Sequence, residues 1–233
     1  FLKFKYPKAG ENNAKVSVCV YDDFNKTTKF MQLPENDQDF YIPRIRWTNT
    51  ADQLAIFKLN RNQNRLDMLM ANPKSTLTKL VLRQEDKYYI DYQNIDYIQF
   101  TPDNQFFFGV SEQDGFRHIY QYRINGSVYK QITKGTWDIT DFYGYDHTKQ
   151  ILYYQSAEVS PMQRDIYAID AKAKKTRLTN GKGTHDASFN STYSYYLDVF
   201  SSIDAPEKII LYNPKGVQIR VIESNSKLQK DFD

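Results

Sequence analysis

The chain has 233 residues, 40% hydrophobic and 25% charged, with 19 Tyr and 15 Phe against 9 Gly and a net charge of +3. That length suffices for one sizeable core, and basic residues scattered among 28 acidic ones exclude the clustered positive charge that nucleic acid requires. There is no run of 18 apolar residues to cross a membrane as a helix, and a single cysteine, Cys19, excludes an internal disulfide.

In chain order, the elements read as short strands rich in Val, Ile, Tyr, Phe and Thr, bounded by Asn, Asp, Gly, Pro and Lys. Val16-Ser17-Val18-Cys19-Val20-Tyr21 is the first, with Cys19 a small strand residue. Leu54-Ala55-Ile56-Phe57 follows the turn Thr50-Ala51-Asp52-Gln53, and a strand through Leu66 comes next. Ala71-Asn72-Pro73-Lys74 is a turn, because proline presets φ there, and Lys79-Leu80-Val81-Leu82 follows it.

From Phe100 onward the order of elements repeats. Thr101-Pro102-Asp103-Asn104 leads into Phe106-Phe107-Phe108-Gly109-Val110, then a polar turn from Ser111 to Gly115, then Arg117-His118-Ile119-Tyr120. Ile132-Thr133-Lys134-Gly135-Thr136-Trp137-Asp138 closes the copy. The next copy runs from Asp146-His147-Thr148 through Ile151-Leu152-Tyr153-Tyr154 and Arg164-Asp165-Ile166-Tyr167, and ends on Arg177-Leu178-Thr179-Asn180-Gly181. Leu66, Ile119 and Ile166 align, about 50 residues apart, and Lys208-Ile209-Ile210-Leu211-Tyr212 is a later copy. A unit that cannot bury its own apolar face must stack on copies of itself, and four-stranded units of roughly 40–50 residues are propeller blades. The fold expected is all-β, a β-propeller of about five four-stranded blades, with an unrelated all-β sandwich as the alternative. Trp137, at the start of a new strand, is expected to be buried between two blades.

A search for chemistry assigns no catalytic, substrate-binding, cofactor-binding or metal residue. Gly109-Val110-Ser111-Glu112-Gln113 lacks the final glycine of a nucleophile elbow and lies between two strands. His118, His147 and His185 have no metal-ligand spacing, and His118 reads as a structural hydrogen-bonding residue. Gly181-Lys182-Gly183 lacks the strand-to-helix setting of a dinucleotide site. Asn25-Lys26-Thr27, Asn125-Gly126-Ser127 and Asn190-Ser191-Thr192 fit the N-glycosylation sequon, which polar turns also produce by chance. No cofactor is expected.

Three ordered segments carry a family resemblance. Tyr6-Pro7-Lys8-Ala9-Gly10-Glu11-Asn12-Asn13 resembles a segment of the dipeptidyl peptidase IV family that precedes a β-strand, here Lys15 to Tyr21. Ser111-Glu112-Gln113-Asp114-Gly115-Phe116-Arg117-His118-Ile119 is similar to its acidic-turn-Gly-aromatic-Arg-His-Ile stretch, and Ile132-Thr133-Lys134-Gly135-Thr136-Trp137-Asp138 to its Ile-Thr-Lys-Gly-Thr-Trp-Glu stretch. Val221-Ile222-Glu223-Ser224-Asn225-Ser226-Lys227-Leu228 resembles the stretch leading out of the family's propeller. Weaker similarity covers essentially the whole chain.

The resemblance implies the later part of an eight-bladed propeller, with residues 1–223 the partial propeller and 224–233 the start of a linker towards an α/β-hydrolase domain. The family's members are serine peptidases that release dipeptides after a penultimate proline. Their catalytic Ser, Asp and His lie in the hydrolase domain, and the glutamates that hold the substrate's amino terminus lie upstream of the Tyr-Pro-Lys segment. The family's mammalian Phe-Arg pair has no match, since the loop from about Ile90 to Asp96 reads Tyr92-Gln93-Asn94. The implied role is to wall the active-site cavity and admit only short peptide ends. The implied partners are peptides with penultimate proline and the hydrolase domain of the same parent chain, with no nucleic acid. The single cysteine resembles a bacterial member, implying export to the periplasm or cell envelope. A prolyl tripeptidyl peptidase propeller and a free-standing protein-binding module are the alternatives. The chain opens on Phe1, so its natural amino terminus is expected upstream. An open arc of about five blades is expected to self-associate, as a homodimer, or to be marginally stable alone.

Overall fold

The structure, a computed structural model, describes residue 8 and residues 10–34 and 39–230. Tyr6, Pro7 and Ala9 of the first resembling segment, and residues 231–233 of the linker, lie outside the described residues.

The turn-bounded runs become strands that pair in the order in which they occur. β1 (Cys19–Asp22) and β2 (Thr27–Phe30) form a hairpin. β3 (Phe40–Trp47), β4 (Leu54–Asn60), β5 (Arg65–Ala71) and β6 (Thr78–Glu85) form a four-stranded sheet, as do β7 (Gln99–Phe100), β8 (Phe106–Ser111), β9 (His118–Arg123) and β10 (Val128–Gln131). β11 (Ile139–Asp146), β12 (Ile151–Ser156), β13 (Asp165–Asp170) and β14 (Lys175–Arg177) make the next. β15 (Thr184–Phe189), β16 (Tyr196–Ser202), β17 (Ala205–Tyr212) and β18 (Gln218–Glu223) make the last, followed by a short helix, α1 (Ser226–Gln229). Among the described residues there are thus four complete blade-like meanders and one hairpin. Leu66, Ile119 and Ile166 are each the second residue of a third strand, so the repeat read from sequence is the repeat of the fold. Two expected boundaries move. β1 begins at Cys19 rather than near Lys15, and Ser111 is the last residue of β8 instead of the start of a turn.

Burial changes across each sheet in the way stacking requires. Second and third strands are covered on both faces, as in β4, β12 and β13, and so read as nearly continuous apolar runs. Fourth strands β14 and β18, and β2 of the hairpin, are exposed along their length and carry Lys, Arg, Thr and Gln. Pro43 sits inside β3, where a register shift between Tyr41 and Arg44 accommodates its missing N–H.

The described chain forms two compact units. The first comprises Phe1–Asp96, Phe100–Phe107 and Tyr122–Ser127. One of its apolar clusters joins Val18 and Met31 beside the hairpin to Leu54, Ile56, Leu69 and Ala71 of the next sheet. Gly126 has φ +88° and packs on the Val81 carbonyl so closely that a Cβ would overlap it. The second unit comprises Tyr97–Gln99, Phe108–Gln121 and Val128–Asp233. One cluster gathers Phe108, Val110 and Ile119 with Leu152, Tyr154 and Tyr167. Another joins Tyr153 and Ile166 to Ala187 and Tyr196 of the last sheet. Each fully buried aliphatic side chain of this kind contributes about 1.5–3 kcal/mol.

In the second unit the antiparallel order separates two ends. Turns between first and second and between third and fourth strands share one, the turn end. Turns between second and third strands, and the connectors from sheet to sheet, share the other, the connector end.

Candidate functional site

The repeated Ile-Thr-Lys-Gly element is a fastening. The Ile132 N–H donates to the Ile119 carbonyl at 2.8 Å, and the Ile119 N–H donates to the Thr133 hydroxyl at 2.9 Å. That hydroxyl lies 3.0 Å from Nδ1 of His118, and Nε2 lies 3.0 Å from the Gly135 carbonyl. A carbonyl only accepts, so Nε2 carries the proton and Nδ1 accepts from Thr133. His118, 0% exposed, is therefore structural, as its sequence context suggests. In the next sheet the Ile166 N–H donates to the Thr179 hydroxyl at 3.2 Å, and that hydroxyl donates to Asp165 Oδ1 at 2.9 Å. Arg177 completes it, donating to Asp165 at 2.7 Å and to the Gly181 carbonyl at 3.1 Å.

Trp137 is half-buried rather than buried. Its indole meets the His118 ring edge-on at 4.9 Å and stacks 6.4 Å from Tyr154, so two sheets do flank it. Its remaining face meets the Lys175 ammonium, 5.6 Å from the ring centre, and stays wet. The tight packing of Trp137 on Gly135 leaves no room there for a Cβ.

The other rejected motifs also have structural partners. His147 is exposed in the β11–β12 turn. His185 and Asp198 are both buried and joined Nδ1 to Oδ2 at 2.8 Å, a pair that sequence reading missed because the partners sit on adjacent strands. His185 Nε2 has no hydrogen-bond partner, so no hydroxyl continues the pair. The Ser111 hydroxyl accepts the Gln113 N–H at 3.3 Å. Among the described residues no group of three or more His, Cys, Asp or Glu is arranged to hold a metal, and no helix is long and apolar enough to cross a membrane. The sequon asparagines serve their turns: Asn25 donates to Asp22, Asn125 accepts from Ser127, and Asn190 accepts from Ser194 and Tyr195.

Two places on first strands and connectors gather polar chemistry. In the first unit, Arg44 of β3 grips Asp96 through two parallel bonds of 2.8 and 2.9 Å. The hydrogen bond from Arg44 holds the Asp96 carboxyl below its ordinary range. Beside this pair lies a pocket of about 380 Å³, lined among others by Val16, Tyr41, Ile42, Arg44, Leu59 and Tyr92. Such a pocket suits an apolar side chain, with aromatic walls and a guanidinium whose charge Asp96 balances. Sequence reading passed over it because no contiguous motif joins its residues. Here Tyr92 and Arg44 come from separate segments. In the second unit, burial and then the neighbouring Asp186 charge push the Asp141 carboxyl up. The Tyr143 hydroxyl donates to Asp186 at 3.1 Å and accepts the Ala187 N–H at 3.0 Å, joining β11 to β15.

Comparison with known proteins decides the family. The family model described as the dipeptidyl peptidase IV N-terminal region matches residues 2–207. The chain belongs to that family. A crystal structure of dipeptidyl peptidase 4 from Porphyromonas gingivalis is 44% identical, with a TM-score of 0.92, over 98% of this chain and 32% of that one. This similarity accords with a bacterial member. A solved structure from Bacteroides ovatus, 20% identical with a TM-score of 0.82 over 95% of this chain and 34% of that one, shows the fold alone. Dipeptidyl peptidase 4 of Trichophyton rubrum is 25% identical over 97% of this chain and 30% of its own length. The chain thus spans about a third or less of the relatives it matches. All-β architecture and propeller blades are what the family's N-terminal region requires, and the chain belongs to that region.

Proposed function

We propose that this chain is the non-catalytic propeller part of a longer serine peptidase that removes dipeptides after a penultimate proline. The observation that carries the reading is the 44% identity and TM-score of 0.92 with the Porphyromonas gingivalis enzyme over 98% of the chain. In this reading the propeller walls the active-site cavity and admits only short peptide ends. The pocket lined by Tyr41, Arg44 and Tyr92 receives an apolar side chain of the peptide. The end of β18 at Glu223 supports a boundary there, with 224–233 leading towards an α/β-hydrolase domain. The parent protein works in the periplasm or cell envelope.

The full-length protein is expected to release Ala-Pro from short peptides and to leave intact a folded protein that begins with the same residues. Equal cleavage of both would contradict the size-excluding wall. Release of tripeptides in place of dipeptides would replace the dipeptidyl reading with a tripeptidyl one.

A further inference from the structure

The second unit has a pocket that the proposed function leaves unused. It holds about 340 Å³, at the small end of ligand sites, and residues of two successive sheets line it at the turn end. Phe108 of β8, Leu152 of β12 and Ile169 of β13 give it a buried apolar surface, and the Tyr145 ring lies 4.6 Å from that of Phe108. Each sheet also adds one amide and one charge. Gln121 of β9 and Lys130 of β10 come from one, Gln150 beside β12 and Asp170 of β13 from the other.

The fold does not consume these polar groups. Among the described residues the side chains of Gln121, Lys130 and Gln150 have no hydrogen-bond or ionic partner. Asp170 uses only Oδ1, which accepts the Lys172 and Lys174 N–H groups and fixes the β13–β14 turn. Oδ2 stays available. This mixture selects by chemistry. An anion would meet the Asp170 carboxylate, a cation the Lys130 ammonium, and a neutral sugar would leave both charges without a counterpart. A small molecule with an apolar body, an amide and opposite charges at its two ends uses every group.

We propose that this pocket binds a short zwitterionic peptide, of the dipeptide class that the proposed peptidase would release. Lys130 takes the carboxylate, Asp170 Oδ2 the ammonium, and Gln121 and Gln150 the peptide group, while Phe108 and Leu152 receive the apolar side chain. Only the source of such a peptide rests on the peptidase reading; the chemistry of the pocket stands without it. Because Lys130 and Asp170 belong to different sheets, a bound peptide ties the two together and stabilises the folded protein by mass action.

Calorimetric titration of Ala-Pro into the full-length protein, first treated with a serine-directed phosphonate, tests this. Binding is expected with a Kd of about 1 mM, the scale for so small a ligand. Lys130→Glu is expected to weaken it about tenfold or more, and N-acetyl-Ala-Pro amide, which lacks both charges, to bind about tenfold more weakly than Ala-Pro. Lys130 is exposed and unbonded, so its replacement should leave the thermal transition in place. Lys182→Glu, an equal charge change at the connector end, should leave binding as it was. No binding at about ten times the expected Kd, or equal binding by the Lys130 variant or by the blocked peptide, would overturn the inference. Hydrolysis of an Ala-Pro reporter is followed before the phosphonate is added. Charge-dependent binding in a protein that never cleaves the reporter would contradict the peptidase reading and leave the pocket standing.

Discussion

The two ends of the second unit are closed by different chemistry. At the turn end the bends are held chiefly by their own side chains, with Lys149 also donating to the Tyr193 carbonyl. Asp146 accepts from Thr148 and Lys149, Asp170 from Lys172 and Lys174, and Asn213 from Lys215 and Val217. At the connector end the β12–β13 turn also holds itself, through Ser160 and Pro161, but the closing elements meet partners further apart in the chain. His118 meets Thr133 and Gly135, and Asp165 meets Thr179 and Arg177. A turn-end bond forms as soon as its bend forms, whereas a connector-end bond also requires the third strand and the following connector to be in register. The fastenings there tie each third strand to the connector that leads out of its sheet.

The largest effect should come from His118→Ala. It removes a fully buried ring, two hydrogen bonds and the edge on which Trp137 rests. The expected loss is about 3–5 kcal/mol, comparable to emptying a buried aromatic site. Urea unfolding that shifts by less than 1 kcal/mol, as an order-of-magnitude bound, would break the contrast between the ends.

Next come the two threonines. Thr133→Val and Thr179→Val each leave a strand N–H without its acceptor, at a cost of about 1–3 kcal/mol. The Thr179 change should be the milder, because Asp165 keeps Arg177, whereas His118 Nδ1 loses its donor in the Thr133 variant. The reverse order in paired unfolding curves would mean that the ionic fastening is the more dependent on its hydroxyl.

The smallest effects are pH-dependent and concern two carboxylates of β11. Burial alone would raise Asp146, but the Lys149 ammonium and the N–H groups of Lys149 and Thr148 outweigh it and hold the carboxyl low. Its contribution is present above the ordinary value of 3.8 and is lost as pH falls through the lowered one. Asp141 is pushed up by burial and then by Asp186, so the folded state holds its proton longer than the unfolded chain does. Its ionisation lowers stability as pH rises from 3.8 through the raised value. Asp146→Asn should therefore flatten the acid side of the stability profile, and Asp141→Asn should add stability at neutral pH. Titration of the two variants in the same direction would show that one of these environments is misassigned.

Legibility follows the same division. The alignment of Leu66, Ile119 and Ile166 was readable because each lies in a turn-bounded apolar run, and the Ile119 and Ile166 copies also share a closing Thr. The turn at Asn72-Pro73 was readable from its proline, and there Asn72 accepts the N–H groups of Lys74 and Ser75. The Arg44–Asp96 pair was hidden, since its partners are 52 residues apart and meet only after a whole sheet has folded between them. The same holds for the pocket shared by Tyr92 and Arg44, which no contiguous motif announces. Trp137 was placed correctly between two sheets, but a neighbouring Lys175 that covers one ring face cannot be read from a tryptophan's sequence neighbours.

The central claim is that these 233 residues are scaffold and that the catalytic groups lie elsewhere in the parent protein. The most direct measurement compares hydrolysis of an Ala-Pro reporter by the purified chain and by the full-length protein at equal molar concentration. The account predicts turnover by the full-length protein that a serine-directed phosphonate blocks, and none by the chain alone. Phosphonate-sensitive turnover by the purified chain alone would contradict it.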